Sequence, residues 1–197
     1  MDYDVVINGF HGTDNKVAVA IEQEKTYTYS KRSDHWLGQG IYFFSEDPEQ
    51  AMSWAMNQTK QGDTATVLFT KIVVNSSSFL NLNSRSGIFT LKKLINKLGS
   101  EYSIESYSDD QVGNTKLRCF IMDLLPDNIK AIQKNFYIST QPQFVLNTPE
   151  MGRMGISMQS AQVCVRDSSI ISRDTIEIFE SKKKPFKKRK RREVNFK

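Results

Sequence analysis

The chain has 197 residues, of which 39% are hydrophobic, 25% are charged and 11% are aromatic, with 10 Gly and 5 Pro. This composition excludes a collagen-like or wholly disordered chain and predicts a globular domain with a substantial core. The formal net charge is +5, but ten of the 27 basic residues fall within residues 181–197. The body that precedes this segment is therefore mildly acidic.

The basic segment predicts a flexible tail, at residues 181–197, behind a domain formed by residues 1–180. Like charges at this density repel one another and oppose compaction. Cations that neutralise phosphates release counterions, so the tail favours binding to RNA or DNA. A localisation signal, an acidic partner and a merely solvated tail are the alternatives. The basic residues that we assign to RNA binding are Lys182, Lys183, Lys184, Lys187, Lys188, Arg189, Lys190, Arg191 and Arg192.

Nothing in the sequence indicates a membrane segment or a metal site. The acidic N-terminus lacks the pattern of a signal peptide, and the apolar runs are far shorter than the ~20 residues of a membrane span. Cys119 and Cys164 are too few for a disulfide framework and lack the spacing of a zinc site. We therefore expect buried thiols, no metal and a cytoplasmic setting.

Apolar periodicity and turn residues divide the N-terminal half into predicted elements. A strand at residues 5–7 should end in a tight turn at residues 9–13, and the helix that follows should bury Val17 and Ile21. Asp47 and Pro48 indicate a helix start, because Asp caps a helix and Pro suits its first turn. The predicted elements are helices at 14–24 and 47–59, strands at 41–44 and 64–74, a loop at 26–36 and a glycine turn at 37–40.

The C-terminal half predicts more helices and strands, so strands stand at both ends of the chain with helices between them. This order predicts an α+β domain whose sheet joins non-consecutive strands. The predicted elements are helices at 91–98, 116–125 and 128–135, strands at 136–138, 162–166 and 175–179, and a loop at 143–155.

Two short motifs carry the candidate chemistry. The first is Phe10-His11-Gly12-Thr13, and the second is Gly38-Gln39-Gly40-Ile41-Tyr42-Phe43, followed by the helix at 47–59. In this order and spacing the motifs resemble the ADP-ribosyltransferase superfamily, in the branch shared by poly(ADP-ribose) polymerases and diphtheria-type toxins. The resemblance implies a split antiparallel β-sheet core with flanking helices, and NAD as the substrate.

The residue types suit a bound dinucleotide. An imidazole can donate to and accept from a ribose hydroxyl, a glycine leaves the main chain open to a carboxamide, and a phenol ring offers a flat face to nicotinamide. By resemblance, the residues that hold NAD are His11 at the adenosine ribose, Gly12 at the carboxamide, Thr13 at the ribose region, Tyr42 against the nicotinamide, and Gly38 and Gly40 in the loop beside it.

The third motif of the family departs from its usual form, because Gln162 stands where many members have Glu. Glutamine keeps hydrogen bonding but carries no charge and cannot act as a base. This disfavours poly(ADP-ribose) synthesis and leaves single transfer, with His11, Tyr42 and Gln162 as the catalytic residues. Asp34, His35 and Arg153 are the substrate-binding candidates, Lys31 or Arg32 could pair with the pyrophosphate, and Glu46 and Glu150 are, with Asp34, alternatives for activating the nucleophile.

The acceptor is open at this point. The basic tail favours RNA, and the small single module is similar in kind to the messenger-RNA-modifying transferase of a toxin–antitoxin–chaperone phage-defence system, which implies an antitoxin partner. A protein acceptor, with the tail docking on ribosomes or an acidic partner, is the first alternative. A catalytically inactive module that binds NAD or nucleic acid is the second, and Gln162 favours it.

Overall fold

The computed structural model describes residues 2–29, 31–33, 35–98, 108, 110–137, 153–154 and 159–186. Seven strands and four α-helices lie in these ranges. They are β1 (Asp4–Asp14), α1 (Asn15–Glu24), β2 (Ile41–Ser45), α2 (Pro48–Gln58), β3 (Thr64–Asn75), β4 (Phe79–Asn81), α3 (Arg85–Leu98), α4 (Gln111–Asp123), β5 (Ala131–Tyr137), β6 (Gln159–Val165) and β7 (Glu177–Lys183).

The seven strands form one sheet in the order β4-β5-β6-β2-β1-β3-β7. This arrangement confirms the α+β class and the joining of non-consecutive strands. The sheet is mixed rather than wholly antiparallel, because β4 and β5 run parallel. A parallel pair needs a crossover connection, which α3 and α4 supply between these two strands.

Both faces of the sheet are covered. On the first face, α1 packs Ala18 and Ile21 into a cluster that includes Phe43, Leu68 and Ile72. On the second face, α2 covers β1 and β3, and α4 with the loop before β2 covers β5 and β6. We call these the α1 face and the α2/α4 face.

The two helices with capping aspartates are confirmed. Asp14 accepts hydrogen bonds from the N–H groups of Lys16 and Val17, and Asp47 accepts one from Gln50. The prediction that Val17 is buried is wrong, because its side chain is 44% exposed. The strand predicted at 64–74 and the burial of both cysteines are also confirmed.

Two predicted elements are wrong. The turn predicted at residues 9–13 lies inside the continuous strand β1, where a side chain at Gly9 would meet Phe43 and Ile72. The helix predicted at 128–135 is instead strand β5 from Ala131 onward. Ala131 and Ile132 pack on opposite faces of the sheet, and such a two-sided apolar run cannot be told from a buried helix by periodicity.

The first residues of the segment predicted to be a flexible tail are instead part of the sheet, because β7 continues to Lys183. The next residue is also fixed, since Lys184 N–H donates to Asp63 O over 2.8 Å and the Lys184 ammonium donates to Thr59 O over 2.6 Å. Lysines suit an edge strand, because their stems lie along it while their charges reach water. Residues 187–197 lie outside the described residues. Among the described helices, none has the length and apolar character to cross a bilayer.

Candidate functional site

Strands β1 and β2 separate at the place where the two motifs meet. β1 pairs with β3 along its whole length, but within the described chain it is in register with β2 only at Gly9–Ser45 and Phe10–Phe44. β2 stays paired with β6 over residues 41–44. Residues 11–13 therefore line a gap between two halves of the sheet.

His11 bridges this gap. Its Nδ1 lies 2.8 Å from the main-chain oxygen of Tyr42. A carbonyl oxygen can only accept, so Nδ1 carries the proton, and Nε2 of the neutral ring keeps a lone pair. Burial among the rings of Tyr27 and Phe43, at centroid distances of 5.4 and 5.8 Å, lowers the pKa of His11 below its usual 6.5. The imidazole is therefore a neutral acceptor at pH 7.

The main chain of Gly12 faces the same gap. Across the paired stretch, Glu46 N–H donates to Asn8 O over 3.0 Å, so the main-chain groups of Asn8 point toward β2. Successive residues of a strand direct these groups to alternate edges. Gly12 has the same parity as Asn8, so its N–H and C=O also point toward β2, beyond the last registered pair.

Close packing explains why three of the predicted NAD-binding positions are glycines. A Cβ on Gly12 would lie 2.0 Å from Ala51 O of α2, and one on Gly40 would lie 2.5 Å from Val165 O of β6. Gly38 has a φ of +80° and packs against α4. Gly38 and Gly40 thus let the loop pack closely against α4 and β6, whereas the resemblance implied that they let the loop turn close to the ligand.

The phenol of Tyr42 lies on the α2/α4 face, while His11 lies on the α1 face. Its hydroxyl accepts from Leu37 N–H over 2.7 Å and donates to Gly38 O over 2.8 Å. Burial raises the pKa of Tyr42 far above its usual 10. The hydroxyl is therefore neutral and held by the loop, and the contact between the two predicted catalytic residues runs through the Tyr42 carbonyl rather than between their rings.

Gln162 is placed in β6 on the Tyr42 face. It opposes Phe44 of β2 on one side and Lys134 of β5 on the other. Cys164 opposes Tyr42, so Gln162 stands one side-chain repeat, about 7 Å, further along the strand. The structure thus brings Gln162 to the same face as the phenol, beside a lysine.

Of the remaining predicted residues, one contacts Tyr42, and the others lie elsewhere or outside the described residues. His35 joins the site, with its ring centroid 5.2 Å from that of Tyr42. Lys31, Arg32 and Arg153 are exposed. Thr13 is half-buried in β1 opposite Thr66. Glu46 accepts from Asn8 N–H and from Asn8 Nδ2 at the far end of β2, away from Tyr42. Asp34 and Glu150 lie outside the described residues.

Sequence reasoning missed two residues that shape the site. Tyr27 is 5% exposed and packs edge-on against His11, and its hydroxyl has no hydrogen-bond partner within the described chain. Gln39 ties the loop to α4, because its main-chain N–H donates to Asp123 over 2.7 Å and its side chain donates to Arg32 O. Tyr27 and Tyr29 lie together in a polar stretch predicted to be a loop, and no signal in the sequence distinguishes the buried Tyr27 from the exposed Tyr29. Gln39 lies within the second motif, but the resemblance implies roles only for Gly38, Gly40 and Tyr42.

The chain is similar to the uncharacterized protein MJ0359 of Methanocaldococcus jannaschii, with 24% identity over 184 residues that cover 83% of this chain and 84% of that protein. No family model matches the chain, and no solved structure matches it. The case for a function therefore rests on the geometry of the site.

Proposed function

We propose that this protein is a mono-ADP-ribosyltransferase, which cleaves the bond between nicotinamide and ribose in NAD and passes ADP-ribose to RNA. The observation that carries the proposal is the gap between β1 and β2. The hydrogen bond from His11 Nδ1 to Tyr42 O spans this gap and keeps the imidazole in one tautomer. His11 Nε2 and the main chain of Gly12 are left to bind what enters it.

These groups match the chemistry of NAD. A lone pair on His11 Nε2 accepts from a ribose hydroxyl, and the N–H and C=O of Gly12 complement the oxygen and amide hydrogens of a carboxamide. The lowered pKa of His11 matters here, because a protonated ring would lose the acceptor. The site thus offers an acceptor for a hydroxyl and a donor and acceptor for an amide, side by side.

The chain's residues would act by positioning and electrostatics rather than by covalent chemistry. When the C–N bond breaks, its electron pair leaves with nicotinamide and positive charge develops on the ribose. In the family that the motifs resemble, the residue at this position contacts that ribose, and Gln162, on the α2/α4 face, would offer it the partial negative charge of its carbonyl oxygen. The acceptor nucleophile then bonds to the same carbon and loses its proton to solvent, because Gln162 cannot take it.

The start of the basic tail supports RNA as the acceptor. Lys182 is paired with Ala65 of β3, and Ala65 is paired with Asp14 of β1. Two strand spacings, about 10 Å, thus separate Lys182, the first lysine of the basic segment and part of β7, from the His11–Thr13 end of β1. A basic arm that begins here can hold a phosphate chain across the gap.

A module that binds NAD without transferring ADP-ribose is the second candidate. Gln162 favours it, because a neutral amide beside Lys134 provides less stabilisation of a developing cation than a carboxylate would.

The deciding experiment incubates the protein with NAD labelled in its adenosine half and with cellular RNA, followed by nuclease or protease. The proposal expects label that protease leaves in place and nuclease releases. Label that only protease releases would assign a protein acceptor. Binding of NAD with no release of nicotinamide, with RNA or protein present, would establish the non-transferring module instead.

A further inference from the structure

An exposed tryptophan is held in a fixed orientation beside the candidate site. The indole of Trp36 is 47% exposed. Its ring centroid lies 4.8 Å from that of Phe136 in an edge-on contact, and the guanidinium carbon of Arg118 lies 5.2 Å from the Trp36 centroid. The three side chains come from the loop before β2, from β5 and from α4, so three separate elements converge on one flat ring.

Both residues next to Trp36 in the chain contact Tyr42. The ring of His35 lies 5.2 Å from that of Tyr42, and Leu37 N–H donates to the Tyr42 hydroxyl over 2.7 Å. Trp36 stands between these two residues. A group stacked on the indole would therefore lie next to the face of the sheet that carries Tyr42.

The surroundings of the indole are cationic and polar. Arg118 Nε is buried and has no hydrogen-bond partner in the part of the chain that the structure describes. Lys31 and Arg32 are exposed in the same loop. Asp123, the last residue of α4, accepts from the main-chain N–H of Gln39. The charge in direct contact with the indole is that of Arg118, whose guanidinium carbon lies over the ring.

We propose that Trp36, Phe136 and Arg118 form a platform on which one unpaired base of a single-stranded nucleic acid stacks, with the guanidinium beside its phosphate. An exposed indole offers a face to any base, and an adjacent arginine adds charge and stacking. The inference builds on the proposed function, since it places the acceptor strand next to Tyr42. Its test uses binding alone and needs no NAD.

Fluorescence can isolate the platform, because the chain has 2 Trp. Trp54, on α2, is 50% exposed and serves as the matched control. In the full-length Trp54→Phe variant the emission comes from Trp36, and in Trp36→Phe it comes from Trp54. Titration with an unstructured RNA of about 12 nucleotides should quench the emission of Trp36 in the Trp54→Phe variant and leave the emission of Trp54 in the Trp36→Phe variant unchanged. Equal quenching of both, or of neither, overturns the proposal.

Affinity gives the second measurement. Trp36→Ala should raise the Kd for the RNA by about tenfold, Trp36→Tyr should restore most of the affinity, and Trp54→Ala should bind like the wild type. An unchanged Kd in Trp36→Ala, with the fold verified by circular dichroism, contradicts the platform. Equal quenching by duplex RNA or by polyglutamate also contradicts it. RNA binding through Trp36 without nicotinamide release would refute the transferase proposal and sustain this one.

Discussion

The imidazole of His11 donates to the main-chain oxygen of Tyr42 over 2.8 Å, at the point where β1 and β2 part. In a continuous antiparallel sheet that oxygen would accept from a main-chain N–H of β1. The side chain takes this role, so the sheet can open without leaving a buried acceptor unpaired. The same bond fixes which ring nitrogen is left to bind a ligand.

Substitutions at His11 can separate the structural bond from the ligand contact. The amide N–H of Asn can occupy the position of Nδ1, so His11→Asn should keep the bond to Tyr42 O and lose the acceptor at Nε2. We expect the free energy of unfolding of this variant to lie within about 1 kcal/mol of the wild-type value, and we expect the variant to release no nicotinamide from NAD. His11→Ala should lose both stability and turnover. Wild-type turnover in His11→Asn would exclude Nε2 from the reaction.

The lowered pKa of His11 makes stability depend on pH. The folded ring stays neutral below its usual pKa of 6.5, while the unfolded ring takes up a proton there. Because the unfolded state binds more protons, the free energy of unfolding should fall as pH drops through about 6.5. Urea unfolding between about pH 8 and pH 5 measures this slope. His11→Asn should lose the part of the pH dependence that comes from His11. A slope identical to that of the wild type would mean that another group causes the pH dependence.

Gly12 and Gly9 provide a matched pair for testing helix packing. A Cβ on Gly12 would meet the main-chain oxygen of Ala51 at 2.0 Å, whereas one on Gly9 would meet the flexible end of Ile72 at 2.9 Å. Gly12→Ala should therefore destabilise by about 3 kcal/mol and Gly9→Ala by about 1 kcal/mol, measured by urea unfolding. Similar values for the two would mean that α2 shifts freely.

The hydroxyl of Tyr42 holds the loop before β2 through Leu37 and Gly38. Tyr42→Phe keeps the ring but leaves the buried Leu37 N–H without a partner and Gly38 O with only the weak contact from Cys164 Sγ at 3.7 Å, which should cost about 2 kcal/mol. Hydrogen exchange at the Leu37 amide should speed up. Tyr3→Phe, at a residue that is 65% exposed, is the control and should change neither quantity. Unaltered exchange at Leu37 would show that other contacts hold the loop.

Local signals in the sequence predicted local structure well. Asp47 indicated the start of α2, because capping depends on residues within one turn, and α1 lies where the apolar pattern predicted a helix. The two motifs are predicted to lie together, and in the structure one hydrogen bond, from His11 Nδ1 to the main-chain oxygen of Tyr42, links them. The sequence could not show that this bond uses the main chain of Tyr42 and not its ring. The direction of each side chain depends on the pairing of β1 with β3 and of β2 with β6, which are distant in sequence.

Long-range pairing also explains the failures. The sequence predicts a helix where β5 lies because both faces of this strand are buried, and a run buried on both sides lacks the alternation that distinguishes a strand. The charge of residues 181–183 predicts a tail, yet these residues extend the edge strand β7, which pairs with β3. Charge describes how a segment meets solvent, whereas strand pairing is decided by a main-chain edge elsewhere in the chain.

Gln162 can be changed by one substitution to Glu, the residue that many members of the family that the motifs resemble have at this position. Gln162→Glu places a carboxylate beside Lys134 on the Tyr42 face, where it can stabilise positive charge on the ribose and accept a proton. We expect nicotinamide release to rise by about tenfold or more. Gln159→Glu adds the same charge to the same strand on the opposite face and should leave turnover unchanged. A Gln162→Glu variant that releases nicotinamide no faster than Gln159→Glu would mean that position 162 does not face the reacting ribose.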